Sequence, residues 1–112
     1  LALFRIYQHS MANIIRHAKA SSVKVSFHFD EDIIELKIED DGVGFNVPRR
    51  WIELVRDEHF GLVGSIERAE SIGGKMVIES SEGAGTRITV TVPRREEEQV
   101  TQRERFKTSF AL

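Results

Sequence analysis

A chain of 112 residues, with 40% apolar and 30% charged side chains, has the make-up of one globular domain. Its 16 basic and 18 acidic residues leave a net charge of −2, which argues against a strongly basic nucleic-acid binder and gives no pull toward anionic membranes. With no cysteine, disulfides, thiolate nucleophiles and cysteine-ligated zinc are excluded, and no apolar run approaches the roughly 20 residues that span a bilayer.

Residues 1–20 read as an amphipathic helix. Leu3, Phe4, Tyr7, Met11, Ile14, Ile15 and Ala18 recur at helical spacing on one face, with Arg5, Gln8, Ala12, Arg16 and Lys19 opposite. The helical pattern begins at once, so the chain is read as a piece of a longer protein. After Ser21-Ser22, Val23, Val25, Phe27 and Phe29 alternate with polar residues in a first strand, and Asp30-Glu31-Asp32 turn the chain. Ile34, Leu36 and Ile38 alternate in a second strand, which runs into Asp40-Asp41-Gly42-Val43-Gly44-Phe45. Residues 46–60 have weak periodicity, with a short helix over 48–57 or a mobile connection as the two readings.

Gly61-Leu62-Val63-Gly64 leads into a second helix carrying Leu62, Ile66, Ala69 and Ile72 on one side, and Gly73-Gly74 caps it. Met76 and Ile78 mark a third strand. Thr86, Ile88, Val90 and Val92 share one face of a fourth, which Pro93 ends. Arg94 to Arg105 is almost entirely charged or polar, and a frayed helix or disordered tail is expected over 94–112, in which Phe106, Phe110 and Leu112 could dock. The domain is therefore placed at 1–93. The order of elements predicts an α+β, two-layer sandwich, a mostly antiparallel sheet with helices on one face.

Asp40 is the most informative residue. It continues the parity of Ile34, Leu36 and Ile38, so it is expected to face the core layer, where a carboxylate needs hydrogen-bond donors. No basic residue shares its face of the strand. An inward acceptor beside a Gly-x-Gly turn suits the amino group of adenine, although Asp-Gly pairs also serve simply as turns. Thr86 points inward by the same parity, and its hydroxyl could bridge Asp40 and a base. Asn13 and His17 stack four apart on the first helix, with His9 one turn earlier. An asparagine carbonyl suits magnesium that phosphates also hold, and Arg16, His17 and Lys19 could offset phosphate charge. A solvated helix face would carry the same residues. The His-Asn-His row is a poor zinc site, because no third strong ligand is in view. Gly61-Leu62-Val63-Gly64-Ser65, ahead of a helix, offers free amides to phosphates and glycines for a hinge.

Taken together and in this order, the pieces resemble the catalytic and ATP-binding domain of bacterial two-component sensor histidine kinases, in the GHKL superfamily. Tyr7-Gln8-His9-Ser10-Met11-Ala12-Asn13-Ile14-Ile15-Arg16-His17-Ala18 looks like the N box, and Asp40-Asp41-Gly42-Val43-Gly44-Phe45 like the first glycine box. His59-Phe60-Gly61-Leu62-Val63-Gly64-Ser65 with Glu67-Arg68-Ala69-Glu70 looks like the second glycine region, and Gly83-Ala84-Gly85-Thr86 like the last glycine box. The Gly-Leu-x-Gly pattern with Glu-Arg-Ala is similar to the nitrate-sensor and lipid-fluidity-sensor branch.

The resemblance implies a Bergerat fold, with a strand before Leu1 and phospho-acceptor helices that this sequence does not contain. It implies that Asp40 binds the adenine amino group, Asn13 helps hold Mg2+, and Gly42, Gly44 and Phe45 shape the base pocket. Gly61, Leu62, Val63, Gly64 and Ser65 would close over the phosphates, and Thr86 would support Asp40. The implied activity is γ-phosphoryl transfer from ATP to a histidine on a separate helical dimerisation domain, and onward to a response regulator. The implied location is cytoplasmic, or the cytoplasmic part of a membrane-bound sensor, with neither nucleic acid nor membrane insertion involved. This chain alone is not expected to autophosphorylate. His9 stands where the branch usually has glutamate beside Gln8, and Ser65 where methionine is common. A non-catalytic nucleotide-binding module and an anti-sigma-type serine kinase of the same superfold are the alternatives.

Overall fold

The protein is described by a computed structural model over residues 2–48, 50, 60–94 and 107–111. Helix α1 (Ala2–Asn13) continues into one wider π-helical turn (Ile14–Ala18). Strands β1 (Ser22–Phe29) and β2 (Ile33–Asp40) follow, then helix α2 (Phe60–Ser71), β3 (Lys75–Ser80), β4 (Thr86–Pro93) and β5 (Lys107–Ala111). The strands form one sheet in the order β3-β4-β2-β1-β5, every neighbouring pair antiparallel. The expected α+β sandwich is the observed one.

Strand alternation builds the core. Ile34, Leu36 and Ile38 of β2 are buried, as are Val23, Val25 and Phe29 of β1 and Ile88, Val90 and Val92 of β4. Burying each such side chain contributes about 1.5–3 kcal/mol. Ile6, Ile14, Leu62 and Ala69 join the same cluster from the helices. On the opposite face Arg87 bridges two flanking strands, 2.8 Å from Glu39 and 3.9 Å from Glu79.

Helix α1 and its π-helical turn keep most of the expected stripe against the core, with Ile14 buried and Leu3, Tyr7, Met11 and Ala18 packed on it, and depart from it at four positions. Phe4 and Ile15 are 55% and 69% exposed, whereas Ile6 and Ser10, absent from the predicted stripe, are 0% and 1% exposed. The buried row is Ile6, Ser10 and Ile14, spaced by one turn each. The reason is that α1 packs against α2 as well as the sheet. Ser65 of α2 is as deeply buried as Ser10, and such small side chains let two helices approach closely. The polar side of α1 (Arg5, Gln8, Ala12, Arg16, Lys19) is exposed, as expected.

The helical segment ends at Ala18, two residues before its expected end, because Lys19 takes left-handed angles (φ 51°, ψ 38°). Helix α2 ends as its glycines predict. Gly73 has φ +76°, its amide donates to the Glu70 carbonyl at 3.0 Å, and the Gly74 amide reaches the Ala69 carbonyl at 2.8 Å.

The frayed helix or disordered tail expected over 94–112 differs from the structure at Lys107–Ala111, where β5 lies antiparallel to β1 with Ser22 opposite Ala111. The edge of β1 offers unpaired backbone groups that a segment with threonine and phenylalanine can satisfy. The alternative short helix over 48–57 falls almost wholly outside the described residues. No helix among the described residues is long and apolar enough to cross a membrane.

Candidate functional site

Register places the site. Val23, Asp40, Thr86 and Ser80 lie opposite one another across β1, β2, β4 and β3, forming one row at the end of the sheet. Three of the four are polar, although they continue the parity of the core below them. The row therefore changes from hydrocarbon to hydrogen-bonding groups within one step along the strands. Asp40 is half-buried there. Burial pushes its carboxyl above the ordinary carboxylate range, against the pull of backbone hydrogen bonds from Gly42 and Thr86, and the Asp41 charge adds to the rise. The Gly42 amide donates to Asp40 Oδ1 at 2.8 Å. Among the described residues no cationic side chain pairs with Asp40.

Ser80 was not singled out in the sequence, yet it organises the neighbouring turn. Its hydroxyl lies 2.9 Å from Thr86 Oγ1 and 2.7 Å from the Gly85 carbonyl, and it accepts the Phe45 amide at 2.9 Å. The signal was available, since Ser80 continues the alternation of Met76 and Ile78 inward. The Thr86 hydroxyl thus meets Ser80, and it is the Thr86 backbone that meets Asp40.

The Asp-Gly-x-Gly turn is fixed on three sides. Val43 N–H donates to the Ala18 carbonyl at 2.7 Å, and Gly83 N–H donates to the Val43 carbonyl at 2.6 Å. Asp41 accepts the amides of Ser21 (2.8 Å) and Ser22 (3.1 Å) and both of their hydroxyls. The Ser21 hydroxyl and the surrounding donors hold the Asp41 carboxyl down to about 2. A Cβ at Gly42 would collide with the Ala18 carbonyl, and one at Gly44 (φ +65°) with the Ser81 carbonyl. These glycines shape the site by letting backbone meet backbone.

A cavity of about 370 Å³ opens at this end of the sheet, lined by Glu39, Asp40, Glu79, Ser80, Ser81, Ala84, Gly85, Thr86 and Arg87. It brings together Asp40 and Thr86 of the predicted residues. Asn13, Arg16, His17, Gly42, Gly44, Phe45 and residues 62–65 do not line it, and Glu39, Glu79 and Arg87 bring it to the face opposite the core. Asn13, Arg16, His17 and residues 62–65 sit on the helical layer, which the Val43–Ala18 hydrogen bond ties to the same turn.

Asn13 is half-buried at the end of α1, and its side chain has no hydrogen-bond partner among the described residues. Arg16 and His17 are exposed on the π-helical turn. His9 is exposed, with Nδ1 3.2 Å from Nη1 of Arg68 on α2. Gly61, expected ahead of the helix, lies inside α2, which starts at Phe60. Amides of the first turn lack intrahelical acceptors, whereas those of Gly64 and Ser65 lie deeper in the helix. Leu62 and Ser65 are buried, while Val63 and Gly64 are half-buried.

Among the described residues no three histidine, aspartate or glutamate side chains cluster as a metal site. A free asparagine carbonyl suits a cation whose remaining ligands are phosphate oxygens and water, and Asn13 fits that demand.

The sequence matches the histidine kinase-, DNA gyrase B- and HSP90-like ATPase family over residues 1–96. It is 41% identical over 91 residues to the sensor histidine kinase LiaS of Bacillus subtilis, covering 81% of this chain and 24% of that protein. It is also 41% identical over 93 residues to an uncharacterized sensor-like histidine kinase of Chloroflexus aurantiacus, covering 82% of this chain and 16% of the relative. The chain thus spans about a quarter or less of these relatives. Among solved structures, the ATP binding domain of PrrB from Mycobacterium tuberculosis superposes with a TM-score of 0.68 at 25% identity, over 85% of this chain and 68% of that one.

Proposed function

The chain belongs to the histidine kinase-, DNA gyrase B- and HSP90-like ATPase family, and we propose that its half-buried Asp40 receives the amino group of adenine in ATP. The observation that carries this reading is a half-buried carboxylate that continues the core-facing parity of β2, met by backbone amides and paired with no cationic side chain among the described residues. Backbone amides pin its direction without neutralising it. An exocyclic amine is a donor of the right polarity to satisfy what remains, and Asp40 thereby selects adenine over 6-oxo purines.

In this reading Gly42, Gly44 and Phe45 form the turn under the base, and Ser80 and Thr86 hold the turn in place. Asn13 offers its carbonyl to Mg2+, which when bound offsets charge on the phosphates. Arg16 and His17 supply further positive charge or donors beside them. First-turn amides of α2, from Gly61 to Val63, face phosphate oxygens, and Gly64 keeps that approach free of a side chain. Phosphoryl transfer of this kind rests mainly on placement and electrostatics. The acceptor is a histidine on a separate helical domain, with a response regulator downstream. The domain boundary at residue 93 belongs to the same proposal.

Titration calorimetry with a non-hydrolysable ATP analogue and Mg2+, on wild type and Asp40→Asn, tests the binding half. Heat in the wild type and its loss in the variant are expected, and equal affinities would overturn the reading. Incubation with the cognate helical domain, Mg2+ and γ-labelled ATP tests the transfer half through labelled phosphohistidine.

A further inference from the structure

His9 and Arg68 join the two helices of the layer above the sheet, α1 through His9 and α2 through Arg68. The contact carries chemical information because its partners are not symmetric. A guanidinium has five N–H donors, no acceptor, and keeps its charge throughout the accessible pH range. At 3.2 Å from Arg68 Nη1, the His9 Nδ1 can therefore engage only through its lone pair. In neutral imidazole one nitrogen accepts and the other donates, so the proton must lie on Nε2. A proton on Nδ1 would set two donors face to face and dissolve the contact.

We infer that Arg68 is a positioning residue that holds His9 as the Nε2–H tautomer, with Nδ1 accepting from the guanidinium and Nε2 left as a hydrogen-bond donor. His9 shares a row of α1 with Asn13, one turn away. Its free edge thus offers an N–H to anionic oxygen, while the one lone pair of the ring is engaged by the Arg68 guanidinium. The consequence for phosphoryl transfer rests on the function proposed above. Position 9 then contributes hydrogen bonding to phosphate oxygens and no base catalysis. The tautomer itself does not depend on that function.

The test is a long-range 1H–15N correlation spectrum of the imidazoles in the 15N-labelled, nucleotide-free chain at neutral pH. His9 is expected as a single Nε2–H tautomer with an unprotonated, hydrogen-bonded Nδ1. His17, exposed on the π-helical turn, serves as the internal reference. In Arg68→Ala the His9 signals move to the His17 pattern, while Arg68→Lys, which keeps a donor, moves them less. A backbone amide spectrum of each variant reports whether the fold is kept. An averaged His9 pattern in the wild type overturns the inference, as does a His9 pattern unchanged in a folded Arg68→Ala protein. Because nucleotide is absent, a failure to bind ATP would sink the proposed function and leave this result untouched.

Discussion

Asp40 and Thr86 face each other directly across β2 and β4, and the Thr86 hydroxyl lies 2.9 Å from Ser80 on β3. Three strands thus end in one polar row above a hydrocarbon core. That row bears on the stability of this end of the domain and, in the proposed function, on its ligand chemistry.

Asp40→Asn separates the two. Burial raises the Asp40 carboxyl, so the folded state favours its protonated form. The stability it contributes is fully present below the ordinary aspartate range and is lost as pH rises through the raised value. At neutral pH the charged form is a cost that asparagine removes, while its amide oxygen still accepts the Gly42 amide. Thermal melting at pH 7 without nucleotide is expected to stay level or rise by a few degrees. In the proposed function, Mg-ATP is expected to raise the melting temperature of the wild type by mass action and to leave the variant unmoved.

The glycines of the β3–β4 turn are not equivalent. Gly83 and Gly85 both have positive φ, +80° and +73°. A Cβ at Gly83 meets nothing within 4 Å, whereas one at Gly85 would strike the Asp40 carbonyl. Gly83→Ala is expected to cost about 1 kcal/mol, the left-handed penalty alone. Gly85→Ala is expected to cost about 2 kcal/mol or more and to weaken nucleotide binding by displacing Asp40. Chemical denaturation of the two variants checks the difference.

Asp41 contributes to the acid behaviour. Its carboxyl, held at about 2 by Ser21 and Ser22, lies below its ordinary value of 3.8. Its stabilisation is complete above the ordinary value and is lost as pH falls through about 2. The side chain is exposed, so solvent screening keeps the effect small. Asp41→Asn is expected to flatten the acid limb of the stability curve between pH 4 and pH 2, read by circular dichroism, with little change in that slope above pH 5.

His9→Glu replaces a donor with a proton acceptor. Labelling of the cognate helical domain by γ-labelled ATP is expected to rise by about tenfold or more, within the usual range for a positioned acid or base. Unchanged labelling would show that position 9 lies away from the transferred group.

Much of this was legible in the chain because strand parity is strict. Asp40 and Thr86 were placed inward by counting from Ile38 and Ile88, and the register confirms that they meet. The two glycines after α2 announced its cap for the same local reason. Tertiary packing governed what was missed. Ser10 and Ser65 are polar in the sequence but buried, and Phe4 and Ile15 are apolar but exposed. A period of one helical turn cannot distinguish a stripe facing a sheet from one shared with a second helix. Strand β5 lies in a segment whose composition reads as solvated, and pairing with the edge of β1 is a long-range event. Ser80 needed only the same parity count, carried one residue further.

The most direct measurement of the central claim compares ATP with inosine triphosphate, which carries a 6-oxo group in place of the 6-amine, by calorimetry in Mg2+ on wild type and Asp40→Asn. An ionised acceptor facing the purine predicts that the wild type binds ATP at least about 100-fold more tightly, and that the amide variant closes the gap. Equal affinities in the wild type would contradict it, because the carboxylate at the end of β2 would then not be reading the base.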